Sequence, residues 1–189
     1  MGDRLESFEV KAAKFCDVKH AIGVGHGSDA LFLILKALDI GPGDEVITAT
    51  NSFIASAWVV AATGAIPVLV DVAEDLNIEP SLIDAAITPK TKLMIFSTPC
   101  NPTGSVYSKE ELRELANSIK QHPSLIVMCD EIYEHINFEG KHESLAQFAD
   151  VYEQVVTVNG VSKAWAMTGW RLGYIGAPKS IAAACTKVQ

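Results

Sequence analysis

The sequence has 189 residues, of which 49% are apolar, and a formal net charge of −8 at pH 7. This composition is typical of a soluble domain with a sizeable core. The acidic charge argues against binding to nucleic acid or to an anionic membrane surface. The four cysteines and five histidines lack metal-site spacing, so we expect no metal, no disulfides and a reducing cytoplasm as the location.

Targeting and membrane segments are not expected either. The N-terminus carries acidic residues and no apolar segment, which argues against a secretory signal. The longest uncharged run, 52–70, is interrupted by Gly64 and Pro67. This pattern predicts a helix followed by a strand rather than a membrane span.

Hydrophobic periodicity predicts helices and strands that alternate along most of the chain. Helices are predicted over 4–15, 30–38, 54–63, 80–86 and 108–121, and from 178 onward. Strands are predicted over 20–24, 45–49, 66–71, 92–97, 125–129, 154–158 and 172–177. The first helix is expected to turn four apolar residues towards the core: Leu5, Phe8, Ala12 and Phe15.

The predicted fold class is α/β, with residues 1–189 forming one domain. Strands rich in valine, isoleucine and leucine alternate with helices, which favours a three-layer α/β/α sandwich around a mostly parallel, seven-stranded sheet. Ser108 and Glu111 have the spacing of a capping box for the fifth helix. Ligands of such sheets bind beyond the carboxyl ends of the parallel strands, where the polar residues of interest fall.

The segment Gly27, Ser28 and Asp29 joins the first strand to the second helix. Free N–H groups and the helix dipole at this position favour an anion such as phosphate. A dinucleotide fingerprint does not fit, because Gly23, Gly25 and Gly27 do not follow the G-x-G-x-x-G spacing. The alternative is a purely structural turn in which Ser28 caps the helix.

Four further polar or aromatic residues follow predicted strands, and each has a structural alternative. Phe53 is either a cavity residue or a core residue, and Asn101 is either a ligand contact or part of a turn. Asp130 ends an apolar strand, where a carboxylate is costly without a cationic partner, unless it caps a turn. Tyr133 is either a site residue or an aromatic residue at the rim.

Lys163 and Arg171 lie between the last two predicted strands. An amine and a guanidinium at this spacing suit an aldehyde that also carries a phosphate, because the amine forms a Schiff base and the guanidinium binds the phosphate. The alternative is an ordinary surface lysine in a loop.

Three motifs together resemble those of class I aminotransferases, which are fold-type I enzymes that depend on pyridoxal 5′-phosphate (PLP). The motifs are NPTG at 101–104, DEIY at 130–133 and SKAWAMTGWR at 162–171. The resemblance runs from about residue 92 to the end of the sequence. It implies the large-domain fold of the PLP transferases, in which strand 172–177 is antiparallel, and a homodimer.

The same resemblance implies a role for each motif residue. Lys163 forms the Schiff base with PLP and then acts as the base that moves a proton. Asp130 keeps the ring nitrogen protonated, and Asn101 and Tyr133 bond the phenolate oxygen of the ring. Arg171 binds the phosphate.

Residues 8–91 instead resemble DegT-type sugar aminotransferases, most clearly over 23–31 (GVGHGSDAL). This resemblance implies that Gly27, Ser28 and Asp29 hold the PLP phosphate and that Phe53 lies against the cofactor ring. Because the two parts of the chain resemble different subfamilies, we hypothesise a hybrid or engineered chain.

Both subfamilies continue into a C-terminal small domain, which we expect this chain to lack. In class I enzymes that domain carries the arginine for the substrate carboxylate. Here Arg4 and Arg113 fall on predicted helices and Arg171 is assigned to phosphate, so weak or absent transamination is expected. Gly160 stands where class I enzymes often have serine, so one phosphate contact is expected to be missing.

Three functional hypotheses follow from the sequence. The first is a PLP-binding aminotransferase core that exchanges amino groups between amino acids and keto acids or keto sugars. The second is a non-catalytic scaffold, truncated or designed, that retains the site residues. The third is another PLP reaction, such as decarboxylation or elimination. Lys163 argues against the sugar dehydratases of the DegT group, which replace this lysine.

Overall fold

One seven-stranded sheet forms the middle layer of the protein. The structure is a computed structural model that describes residues 2–138 and 140–189. The strands are β1 (Ala21–Val24), β2 (Glu45–Ala49), β3 (Ile66–Val70), β4 (Thr91–Ser97), β5 (Ile126–Asp130), β6 (Val155–Gly160) and β7 (Gly173–Gly176). Their order is β1-β7-β6-β5-β4-β2-β3. Only β7 is antiparallel to its neighbours in this sheet, which confirms the predicted fold class and its odd strand.

Helices cover both faces of the sheet. They are α1 (Asp3–Phe15), α2 (Gly27–Ala37), α3 (Ala55–Thr63), α4 (Pro80–Ala86), α5 (Lys109–Ile119) and α6 (Lys179–Val188). Within the described part of the chain, no helix combines the length and the apolar character that a membrane crossing needs.

The two faces of the sheet bury separate apolar clusters because successive strand residues point to opposite sides. In β5, Met128 packs with the inner sides of α2, α3 and α6. Its neighbours Val127 and Cys129 point the other way, towards α4 and α5. All three side chains are fully buried, and burial of an aliphatic side chain of this size contributes about 1.5–3 kcal/mol. The sheet is therefore enclosed between two helical layers.

The first helix is less buried than its sequence pattern predicts. Of the four residues expected to face the core, Ala12 is buried and Phe8 packs edge-on against Tyr174, with 6.5 Å between ring centroids. Phe15 is 64% exposed, so the prediction was wrong for this residue. Its ring lies instead against the rings of His135 and Trp165, because α1 packs only on the sheet edge formed by β1 and β7.

The sheet topology gathers the functional segments at one edge. Strands β1, β2, β4, β5 and β6 are parallel to one another, so their carboxyl ends meet there. Because β7 runs in the opposite direction, its amino end lies at the same edge. Arg171, which comes just before β7, therefore reaches the edge at which β5 ends in Asp130.

Candidate active site

A cavity of about 320 Å³ opens at this edge of the sheet. It is lined by every residue predicted for the site except Asp29: Gly27, Ser28, Phe53, Asn101, Asp130, Tyr133, Lys163 and Arg171. These residues come from five separate segments of the chain, so the fold brings together what the sequence keeps apart.

The amino end of α2 forms one wall of the cavity. The helix is capped by His26, whose Nδ1 accepts a hydrogen bond from the Asp29 N–H at 2.9 Å. The alternative in which Ser28 caps the helix was therefore wrong. Among the described residues, no hydrogen bond uses the N–H groups of Gly27 and Ser28, so both can donate to an anion.

Asp29 lies apart from the other predicted residues. Its Oδ2 accepts a hydrogen bond from the Gly25 N–H at 2.9 Å, and the side chain borders a neighbouring groove rather than the cavity. The carboxylate thus closes the turn that precedes α2. This placement favours a structural role for Asp29 at the amino end of the helix, where a negative charge is stabilised.

Asp130 supplies a negative charge at the cavity, and its side chain is half-buried. Its Oδ1 accepts a hydrogen bond from the Ile132 N–H at 3.2 Å. Burial raises the pKa of Asp130 to about 6, and the Ile132 N–H, together with the charge of Lys163, offsets only part of the rise. No ion pair within residues 2–138 and 140–189 involves Asp130. The ionised carboxylate therefore lacks the cationic partner that its position demands.

Lys163 and Tyr133 face each other across the cavity. The Lys163 Nζ lies 5.6 Å from the centre of the Tyr133 ring. Lys163 is exposed at the cavity mouth, whereas Tyr133 is half-buried. The amine is therefore accessible to a small molecule that enters the cavity, and the phenol forms part of the wall beside it.

Arg171 is held at the cavity by a compact loop. Its backbone is left-handed, with φ of 51°, and its Nη1 donates to the Thr168 carbonyl at 2.7 Å. The Thr168 Oγ1 in turn donates to the Ser162 carbonyl at 3.0 Å. Arg113, by contrast, forms an ion pair with Asp150 on the outer surface of α5 at 3.0 Å. The guanidinium at the cavity is therefore that of Arg171.

Two further predicted residues, Phe53 and Asn101, line the cavity together with Ser97, which was not predicted. Phe53 is 51% exposed, so it is a cavity residue and not a core residue. Asn101 follows β4 and is half-buried in the cavity wall. Ser97, at the end of β4, pairs in register with Asp130 and lines the cavity. Its Oγ is buried and makes no hydrogen bond to the described residues.

These polar groups fit PLP. The N–H groups of Gly27 and Ser28 and the guanidinium of Arg171 suit a phosphate. The Asp130 carboxylate suits a protonated pyridine nitrogen, because it is half-buried and lacks a cation. The amine of Lys163 is open to an aldehyde. One ligand with these three groups would satisfy the whole set.

A second polar cluster lies behind the cavity and was not predicted. Glu131 accepts from the Ser144 hydroxyl at 2.7 Å and contacts His142 Nε2 at 3.1 Å. Glu134 accepts from Asn159 Nδ2 at 2.9 Å. Burial lowers the pKa of His142, but the hydrogen bond and charge of Glu131 outweigh it, so the pKa is raised. The charges of this cluster are thus largely paired.

Two histidines contact the acids of this cluster. His135 lies 3.1 Å from the adjacent Glu134, whereas His142 reaches Glu131 from a later loop. Ligand atoms of Glu131, Glu134 and His142 lie within 4.8 Å of one another, although no metal-site spacing was recognised. Glu131 lies within the DEIY motif and Glu134 directly follows it, and this pair of acids was the signal available in the sequence.

Residues 2–189 match the family model of aminotransferases of class I and II, and the chain belongs to this family. It is 42% identical over 151 residues to a bifunctional aspartate aminotransferase and glutamate/aspartate-prephenate aminotransferase of Petunia hybrida, covering 78% of this chain and 32% of that protein. It is 40% identical over 168 residues to an aspartate aminotransferase of Pyrococcus abyssi, covering 86% of this chain and 42% of that protein.

Solved structures agree with this assignment. The aspartate aminotransferase from Thermus thermophilus with maleate superposes with a TM-score of 0.83 at 39% identity, covering 89% of this chain and 44% of that one. An aromatic aminotransferase from Pyrococcus horikoshii OT3 superposes with a TM-score of 0.86 at 34% identity, covering 96% of this chain and 50% of that one. The chain thus spans less than half the length of the curated relatives described above. The single family match includes segment 8–91, and the hybrid origin stays a prediction.

Proposed function

We propose that this chain binds PLP in the cavity and forms part of an aminotransferase that exchanges amino groups between amino acids and keto acids. The observation that carries the proposal is the meeting of Lys163, Asp130 and Arg171 at one cavity, although Asp130 lies in a different segment from the loop that carries Lys163 and Arg171. Membership of the aminotransferase family supports the same reaction class.

Each group of residues that lines the cavity has a role in this proposal. The N–H groups of Gly27 and Ser28 bind the phosphate together with Arg171. Asp130 holds the ring nitrogen in its protonated form, and Phe53 covers one face of the ring. When bound, PLP supplies an aldehyde carbon that takes up amino groups and a ring that accepts electrons.

The other polar residues bind the ring oxygen and move protons. Asn101 and Tyr133 donate hydrogen bonds to the oxygen beside the aldehyde. Lys163 holds the cofactor through its amine and, once the amine is released, carries a proton between the substrate carbon and the cofactor carbon. The exposed position of Lys163 at the cavity mouth gives the amine the freedom that both tasks need.

The substrate class comes from the relatives. Several are named aspartate aminotransferase or aspartate/prephenate aminotransferase, which favours amino acid donors and keto acid acceptors over keto sugars. We propose aspartate as the first donor to test. A homodimer and a cytoplasmic location belong to the same proposal, the latter because the structure describes all four cysteines as free thiols.

The test is to titrate the chain with PLP, follow the visible absorbance of the bound cofactor, and trap it with borohydride. We expect saturable binding and the cofactor's mass on the peptide that contains Lys163. The variant Lys163→Arg keeps the charge but should trap no cofactor, whereas Lys179→Arg, in the exposed first turn of α6, should behave as wild type. Absence of saturable binding, or attachment elsewhere, contradicts the proposal.

Turnover is a separate measurement. Addition of aspartate to the loaded chain should remove the absorbance of the lysine-bound cofactor only slowly, because Arg171 is assigned to phosphate and Arg113 is paired with Asp150, and a keto acid should restore it. Stable absorbance in the presence of amino acids would instead support the non-catalytic scaffold.

A further inference from the structure

One buried side chain links the two segments that carry the site. Asn159 is 2% exposed and lies in β6, just before the strand ends at Gly160. Its Nδ2 donates to Glu134 Oε1 at 2.9 Å, and its Oδ1 accepts from the Gly160 N–H at 2.7 Å. A single amide group thus uses both of its ends.

The two hydrogen bonds of the Asn159 amide form a bridge between Glu134 and Gly160. These two residues lie next to different parts of the cavity. Glu134 directly follows Tyr133, in the turn that begins after Asp130. Gly160 begins the loop that carries Lys163. The backbone reinforces the link, because the Glu131 N–H donates to the Val158 carbonyl at 2.9 Å.

The geometry makes the bridge specific to asparagine. Glu134 offers only acceptors when ionised, and the Gly160 N–H offers only a donor, so the bridging group must donate on one side and accept on the other. Asn159 does both from a buried position. A hydrogen bond to a charged acceptor is also stronger than one between neutral groups. Loss of the donor would leave a half-buried carboxylate short of one partner.

We propose that Asn159 is a positioning residue for the amine of Lys163, through its bridge between Glu134 and Gly160. The bridge fixes the separation between the turn that follows Asp130 and carries Tyr133 and the loop that carries Lys163. This inference rests on the proposed function, since it concerns how the lysine meets the cofactor. The amine must approach the aldehyde within reacting distance, and a misplacement of about 1 Å can cost 10²-fold in rate.

The experiment exchanges donor and acceptor across the bridge. Asn159→Asp keeps the size and the acceptor for Gly160 but places a carboxylate against Glu134. Glu134→Gln keeps an acceptor for Asn159 and is the matched control. The double variant N159D/E134Q restores the bond with reversed direction, because the glutamine amide donates to the aspartate.

The measurements are the rate of borohydride-trapped attachment to Lys163 at saturating PLP and the Kd for PLP. We expect N159D to attach at least about tenfold more slowly, with a Kd changed by about twofold or less. The double variant should return the rate to near that of wild type, and E134Q should stay near wild type throughout. Urea denaturation of the cofactor-free variants checks that each is folded under the assay conditions.

The outcomes separate this inference from the proposed function. If wild type attaches no PLP at Lys163, the proposed function fails. If wild type attaches PLP and folded N159D does so at the same rate, Asn159 serves stability alone and the positioning role is wrong. The same conclusion follows if the double variant regains stability but not rate. Where N159D does not fold, Glu134→Ala replaces it, because this change removes the acceptor without opposing charges.

Discussion

Burial of Asp130 destabilises the ionised form of its carboxyl group. Its carboxyl ends a strand whose preceding residues are largely buried, and burial raises its pKa from the ordinary 3.8 to about 6. The folded chain therefore binds this proton more tightly than the unfolded chain does. The contribution of this bound proton to the free energy of unfolding is complete below pH 4 and is lost as the pH rises through about 6.

The variant Asp130→Asn removes this titration without a change in size. We expect the cofactor-free variant to be more stable than wild type at pH 8, by on the order of 2–3 kcal/mol for a shift from 3.8 to about 6. The difference should shrink towards pH 4, where wild-type Asp130 is protonated. Urea denaturation of both proteins across this pH range measures it.

The pH dependence provides the control in that experiment, because all other groups titrate in both proteins. A difference in stability that does not vary with pH would contradict the raised pKa. The same variant should bind PLP more weakly, since a neutral amide cannot hold the ring nitrogen protonated. Stability and binding therefore change in opposite directions for this residue.

Gly160 is required by the close approach of two strands. A Cβ atom at this position would lie 3.0 Å from the Leu172 carbonyl oxygen, 3.1 Å from the Gly173 Cα and 3.2 Å from the Ile132 side chain. Two of these atoms are backbone and cannot turn aside. The serine that class I enzymes often have here therefore does not fit this chain as it stands.

We expect Gly160→Ser to lower the free energy of unfolding by about 1–3 kcal/mol, as other substitutions that overfill a packed site do. We also expect no gain in PLP affinity, because the strands must shift to admit the side chain. Gly169→Ser is the control, since a Cβ there meets no atom within 4 Å. Urea denaturation and PLP titration of both variants test this, and a stable, tighter-binding G160S would refute it.

At the scale of elements, α5 shows how local sequence fixes a boundary. The predicted capping box is confirmed: the Ser108 Oγ accepts from the Glu111 N–H at 3.2 Å, and Glu111 Oε2 accepts from the Ser108 N–H at 2.6 Å. The helix then begins at Lys109. Two of the N–H groups at the start of the helix are thereby satisfied.

We expect Ser108→Ala to destabilise the chain by about 0.5–2 kcal/mol, the usual cost of a lost N-cap. Glu111→Gln should cost less, because glutamine can also accept in a capping box. Thermal and urea unfolding compare the two variants with wild type. An equal or larger loss for Glu111→Gln would mean that charge, and not the capping geometry, stabilises this end of the helix.

Elements of this kind are predictable because their signals lie within a few residues. Strand β2 and helix α4 have the bounds that the sequence predicts, 45–49 and 80–86 respectively. Contacts between distant segments could not be predicted, because they leave no pattern within a few residues of the sequence. The Asn159–Glu134 hydrogen bond joins residues 25 apart, and His26 replaced Ser28 as the cap because the loop before α2 is extended. Phe15 is exposed because only one sheet edge lies beneath α1.

At the scale of the whole molecule, the candidate site depends on the sheet more than on any loop. Five parallel strands and one antiparallel strand deliver their ends to one edge. The motif residues could be predicted because each lies near the end of an apolar strand and because the three motifs resemble those of a known family. Ser97 escaped prediction because a serine after an apolar run is also an ordinary strand end, and only its register with Asp130 distinguishes it.

The other large-scale feature is apolar surface near the edge strand β3. Ile54 and Trp58, at α3, are 69% and 60% exposed, and Leu69, in β3, is 57% exposed. Helix α3 packs against β2 and β3, so these side chains belong to the same end of the sheet. Because exposed apolar residues can take part in association, we propose this end of the sheet as the surface of the proposed homodimer.

We expect Trp58→Glu to weaken self-association by about tenfold or more, because buried tryptophans contribute strongly to interfaces and a charge there is costly to desolvate. Sedimentation equilibrium over a range of concentrations measures the change in Kd. Circular dichroism of the same samples verifies that the variant keeps its fold, as expected for a side chain that is 60% exposed.

Val10→Glu is the matched control, because Val10 is 65% exposed on α1, which packs at the opposite end of the strand order from β3. It adds the same charge to another exposed apolar position and should leave the Kd within about twofold of wild type, as substitutions outside an interface do. Equal weakening by both variants would show that net charge controls association. A monomeric wild type at every concentration would show that this surface does not pair two copies of the chain.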